Sequence, residues 1–143
     1  MSDTDLYHDN PNGVITDKKM DREWLPKDAY GDLGKWINFK EAQSYVQTMK
    51  GIYAGGFGDW RLPTAEEAQS LYNEDLVQLD WEGLDVHIHP LFVTKCSRYI
   101  WTSEENDKGE ARHVDMQNGS AEFIDKETRE HQSVRLVRDP SRR

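Results

Sequence analysis

A single cysteine, Cys96, stands in this chain of 143 residues. It rules out an intrachain disulfide and any cysteine-rich zinc site, and it fits a reducing compartment. Basic residues are also scarce: 18 Lys and Arg against 27 Asp and Glu give a net charge of −9. That balance disfavours nucleic acid or an anionic membrane as partner, because both attract positive surfaces. No apolar run approaches the roughly 18 residues that a membrane span needs. The opening "MSDTDLYHDNPNG" has no apolar stretch of the kind a signal peptide carries. The expectation is a cytoplasmic protein without membrane contact. Signatures of catalysis are missing as well: there is no glycine-rich phosphate loop, nucleophile elbow or HExxH helix.

What is there is aromatic and well punctuated. Five Trp, six Tyr and four Phe argue for a packed interior, since disordered chains are poor in such residues. The length suits one domain, read as residues 12–139 between a loose arm (1–11) and a short tail (140–143). "GVITDKKMDREWL" reads as two short strands reversing at 17–21, with Val14, Ile15, Trp24 and Leu25 on the buried side. "PKDAYGDLGKW" has the composition of a surface loop.

Two helix starts share one device. Asn38 with Glu41, and Thr64 with Glu67, have capping-box spacing. Ala42, Tyr45, Val46 and Met49 then follow at helical spacing, and Gly51 offers a stop, so a helix is expected over 39–50. In "GDWRLPT" Pro63 keeps Leu62 extended, Trp60 and Leu62 alternate inward, and Arg61 points elsewhere. Ala65, Ala68, Leu71 and Tyr72 give the second helix its apolar stripe. Residues 74–97 show no sustained period and read as a long loop around a short turn. After them "RYIWTS", "ARHVDM", "AEFID" and "SVRLVR" read as strands. Asn118-Gly119 marks a two-residue hairpin that sets Val114 opposite Phe123 and Asp115 opposite Glu122. Helices first and antiparallel strands afterwards give an α+β class.

"GVITDKKMDREW", "INFKEAQSYV", "GDWRLPTAEEAQSL", "YIWTSEE", "ARHVDMQNG" and "SVRLVRD" come in the order of the DUF1566 family, which the chain resembles over about residues 12–139. That family includes the C-terminal domain of the Legionella collagen-like adhesin. The "RLPT" motif is also similar to one in formylglycine-generating enzymes. The resemblance implies a C-type-lectin-like fold, two helices packed on a twisted antiparallel sheet with neighbouring termini. Relatives are often exported and carry cysteines; here Val46 stands where a helix cysteine is common. Formylglycine-generating enzymes use a cysteine pair with copper, which Cys96 alone cannot supply.

The candidate residues fall into four groups. Arg61 could grip a carboxylate or phosphate with its fork, or serve as a structural clamp; Trp60 and Trp101 read as core. On the late hairpin, His113, Asp115 and Glu122 could share a metal, or Arg135, also a candidate ligand-binding residue, could offset the facing carboxylates, or the face is simply solvated. His87 and His89 fall on one side of an extended "HIH" and could bind a metal, against a packed loop anchored by Leu91 and Phe92. Glu104, Glu105, Asn106 and Asp107 bunch in the "SEENDKGE" connection, where the resemblance implies calcium and sugar ligands in C-type lectins; a solvated turn is the alternative. Calcium is the divalent cation such a loop would take, and otherwise no cofactor is expected. Cys96 reads as inert.

The resemblance and the missing catalytic set favour a non-enzymatic module binding a protein or carbohydrate through loops 74–97 and 103–110. Two alternatives stand beside it: a metal-dependent enzyme distantly related to formylglycine generation, and a structural subunit of an oligomer or larger assembly.

Overall fold

The computed structural model describes residues 7–92 and 97–140. Cys96 and the last three residues of the expected tail lie outside the described residues. Its class is α+β, with two four-stranded sheets and a small hairpin between them. Strands β1 (Tyr7–Asp9), β2 (Ile15–Asp17) and β3 (Arg22–Trp24) form an antiparallel meander. β1 lies inside the segment expected as a loose arm, held by the buried Tyr7 ring. Val14, Ile15, Trp24 and Leu25 are all buried, as their pattern predicts.

Helix α1 (Ala29–Leu33) replaces the surface loop expected there. The Asp28 side chain accepts from the Gly31 N–H, and Gly34 ends the turn at φ +69°. α2 (Phe39–Gly51) carries the full Asn38/Glu41 capping box and buries Phe39, Ala42, Tyr45 and Val46. It runs through Gly51, and the left-handed residue after it is Tyr53. α3 (Ala65–Gln69) has the Thr64/Glu67 box and lies across β6 (Tyr99–Glu105) and β7 (Glu110–Asp115). Trp101 is fully buried, donates from its indole to the Ile37 carbonyl at 3.0 Å, and meets Phe39 edge-on.

The late hairpin pairs two residues away from the expected register. β7 and β8 (Ala121–Asp125) set Val114 opposite Ala121, Arg112 opposite Phe123 and His113 opposite Glu122. Asp115 and Ser120 close a longer loop, in which Gly119 alone is left-handed and the Asp115 side chain accepts from the Gln117 N–H. An even displacement keeps every side chain on its face but changes every partner. Phe123, expected in the core, is exposed under the Arg112 guanidinium.

"SVRLVR" is two strands instead of one. After β4 (Gln78–Leu79) and β5 (Asp85–Val86) in the central hairpin, β9 (Gln132–Ser133) runs parallel to β6, and β10 (Val137–Arg138) pairs with β3. Between β9 and β10 the chain crosses from one sheet to the other. There the Val134 and Leu136 carbonyls accept from the Ala29 and Leu25 N–H groups. β10 beside β3 therefore brings the C-terminal part of the chain against its N-terminal meander.

Candidate functional site

Arg61 is a clamp at the approach to α3. Its backbone exchanges two hydrogen bonds with Val137, and its fork donates to both Glu67 oxygens at 2.7 and 2.8 Å. Arg22 reaches the same carboxylate at 2.6 Å, and Asp139 takes a further bond from Arg61. Glu67 also accepts from the Thr64 N–H. Burial alone would raise the Glu67 carboxyl; the hydrogen bonds from Arg61, Thr64 and Arg22 outweigh it and bring it to about 2. This one carboxylate thus joins the helix cap, β3 and the C-terminal strand.

Three of the hairpin candidates, Asp115, Arg135 and His113, are engaged locally. Asp115 takes two bonds from Arg98, at 3.1 and 3.0 Å, so Arg98 and not Arg135 is the cation it faces. Arg135 is buried at the sheet junction, donating to the Leu25 and Pro26 carbonyls over the Phe92 ring. His113 stacks on Tyr99 with ring centres 4.5 Å apart and hydrogen-bonds Gln132 at 2.8 Å. Burial holds it below the usual imidazole range despite the Gln132 bond. Glu122 is exposed.

Glu104 splits its carboxylate between the Ala65 N–H and Arg112, while Glu105 pairs with Lys126. The Asn106 oxygen accepts from Lys108 and Glu110 N–H groups, which makes the connection an Asx-type turn; Asp107 is exposed. His87 donates from Nδ1 to the Leu76 carbonyl, whereas His89 Nδ1 accepts from the Leu91 N–H beside the Tyr7 ring. The two imidazoles thus serve different anchors. Among the described residues, no group of three or more His, Cys, Asp or Glu is placed to hold a metal ion.

The feature that the sequence did not disclose is the hairpin β4–β5. Along β4 the polarity is reversed, while β5 keeps the ordinary order with Asp85 exposed and Val86 buried. Gln78 and Asp80 are 8% and 4% exposed, whereas Val77, Leu79 and Leu84 are 53%, 54% and 52% exposed. The inward polar groups are fully used on the backbone. Gln78 donates to the His89 and Phe92 carbonyls, and Asp80 accepts from the Glu82 and Leu84 N–H groups around Gly83. Alternation along β4 then points Val77 and Leu79 outward, and Leu84 is exposed in the turn that follows. Val86, Ile88 and Phe92 anchor the segment from below.

The outer face continues into aromatic residues. A cleft of about 530 Å³ runs past Val77, Leu79, Trp81 and Pro90. Trp81 packs on Tyr30 with ring centres 4.6 Å apart, and Tyr30 packs on Trp36 at 4.2 Å. His131 lies beside Trp36, with its Nδ1 against the Glu82 carboxylate. Its backbone is left-handed, with φ +63°. Tyr30, Trp36, Val77, Leu79, Trp81, Leu84 and His131 are therefore the residues that reading the sequence missed. The available signal was the alternation "VQLD" followed by Trp81, in a stretch without any basic residue.

A second concavity of about 450 Å³ lies between α1 and α2, lined by Leu33, Ile37, Tyr45, Met49 and Ile52. Its polar groups pair with one another, Tyr45 with Asp32 and Lys35 with Glu41.

Compared with known proteins, residues 13–138 match the family model described as the Lcl C-terminal domain. No curated protein and no solved structure matches the chain.

Proposed function

The chain belongs to the Lcl C-terminal domain family, and from that premise we propose that it is a non-enzymatic module that binds a protein or glycan ligand on a C-type-lectin-like scaffold. The observation that carries this reading is the reversed hairpin. An antiparallel strand normally turns its apolar side chains to the core and its polar ones to water. Along β4 the arrangement is the opposite, and the cost is continuous: half-exposed, Val77 and Leu79 each forgo about 1 kcal/mol of burial. A ligand seated on the face would recover that burial. Contiguous exposed apolar surface of this kind marks interaction sites on soluble domains. The adjoining Tyr30–Trp36–Trp81 cluster adds large rings with few rotamers to lose, a composition suited to protein and sugar faces alike.

Display selection with the full chain, using a peptide library and a glycan array in parallel, tests the reading. Recovered binders are expected to lose affinity for V77S/L79S/L84S while wild-type and variant protein unfold alike. Binders that do not distinguish the two proteins, or no binder from either source, would overturn it.

A further inference from the structure

Resting on that reading, we infer that the occupant of the reversed hairpin is a basic, amphipathic peptide segment of a partner protein. Charge complementarity selects this occupant. Between Asn73 and Phe92 there are five acidic residues and neither Lys nor Arg. Asp80 is buried in its turn and Glu82 lies against His131, which leaves Glu74, Asp75 and Asp85 exposed in the same stretch of chain as the apolar face. None of these three carboxylates is paired with a cation among the described residues. Asp85 stands directly opposite Leu79 in the ladder, so a carboxylate and an exposed aliphatic side chain share one position of the outer face.

Such a surface selects by sign. An anionic ligand, including a sulfated glycan, would meet the Asp85 carboxylate beside Leu79, and like charge across an interface is strongly disfavoured. A neutral sugar would stack on the rings but leave the carboxylates unused. A segment alternating aliphatic and Lys or Arg side chains satisfies both halves: its apolar residues cover Val77, Leu79 and Leu84, and its cations reach Glu74, Asp75 and Asp85. Arg side chains can also lie on the exposed parts of Trp36 and Trp81.

Fluorescence anisotropy with the full chain tests the inference, using a labelled peptide that alternates Leu with Lys, its Leu–Glu counterpart and a sulfated oligosaccharide. The Leu–Lys peptide is expected to bind saturably at one site, more weakly as salt rises. V77S/L79S/L84S and E74Q/D75N/D85N should each weaken it about tenfold or more. The control D9N/E66Q/E127Q removes the same amount of charge at exposed positions elsewhere and should leave the affinity within about twofold. Equal losses in both charge variants would mean attraction to net charge alone and overturn the inference. Preference for the Leu–Glu peptide or the oligosaccharide at the hairpin overturns it too, yet leaves the binding-module reading standing. No binding of the Leu–Lys peptide also overturns the inference, while the display selection decides the module reading separately.

Discussion

Replacing Glu67 by glutamine tests the clamp that ties the start of α3 to Arg61 and to Arg22 of β3. Glutamine keeps an acceptor for the Thr64 N–H and fits the capping box, so the variant isolates the charge. In the native chain the carboxylate is almost wholly buried between Arg61 and Arg22, whose side chains keep about a third of their exposure. A carboxyl lowered from 4.5 to about 2 stabilises the fold by about 3 kcal/mol at neutral pH. The two arginines regain part of their hydration in the variant, which brings the expected loss to about 2–3 kcal/mol. The sign follows from linkage. A depressed carboxyl contributes fully above its unfolded value near 4.5 and ceases to contribute as pH falls towards 2. Urea unfolding followed by tryptophan fluorescence should therefore show wild type ahead of E67Q at pH 7, with the gap closing between pH 4.5 and 2. A gap below about 0.5 kcal/mol at pH 7, or one unchanged on acidification, would refute this account of the clamp.

Gly55 has φ +63°, and a Cβ there would stand 2.5 Å from the buried Val14 Cγ2; G55A should cost about 2–4 kcal/mol by chemical denaturation. Burial lowers His113 from the ordinary imidazole value, so its contribution is present above about pH 6.5 and lost as pH falls below it. Wild type should accordingly lose more stability than H113Q between pH 7.5 and 5.5. V77S/L79S/L84S should leave stability within about 1 kcal/mol of wild type, since exposed positions contribute little. L71A in the core is the contrast, with an expected loss of about 2–5 kcal/mol in the same assay.

The parts of the fold written in local chemistry were legible. Both capping boxes, the buried stripe of α2, the 14–25 meander and the buried Trp60 and Trp101 stand as their residues imply. Features decided by distant partners were not. A pair such as Asn118-Gly119 reads as a two-residue turn, yet the Asp115 side chain organises a longer loop and moves the register by two. An alternating "SVRLVR" says nothing about which sheet each half joins, and the crossing is set by the Leu25 and Ala29 N–H groups. The five-residue α1 is too short to show a period. Arg61 was legible as a clamp, whereas the reversed hairpin was hidden, because Gln78 and Asp80 point inward to bond backbone groups that periodicity cannot see.

Methyl-resolved NMR with a soluble paramagnetic probe examines that hairpin side chain by side chain. Strong relaxation at the methyls of Val77, Leu79 and Leu84, with Val86, Ile88 and Leu71 shielded, is the predicted pattern. Shielded Leu79 methyls together with a freely exchanging Gln78 side-chain amide would contradict it.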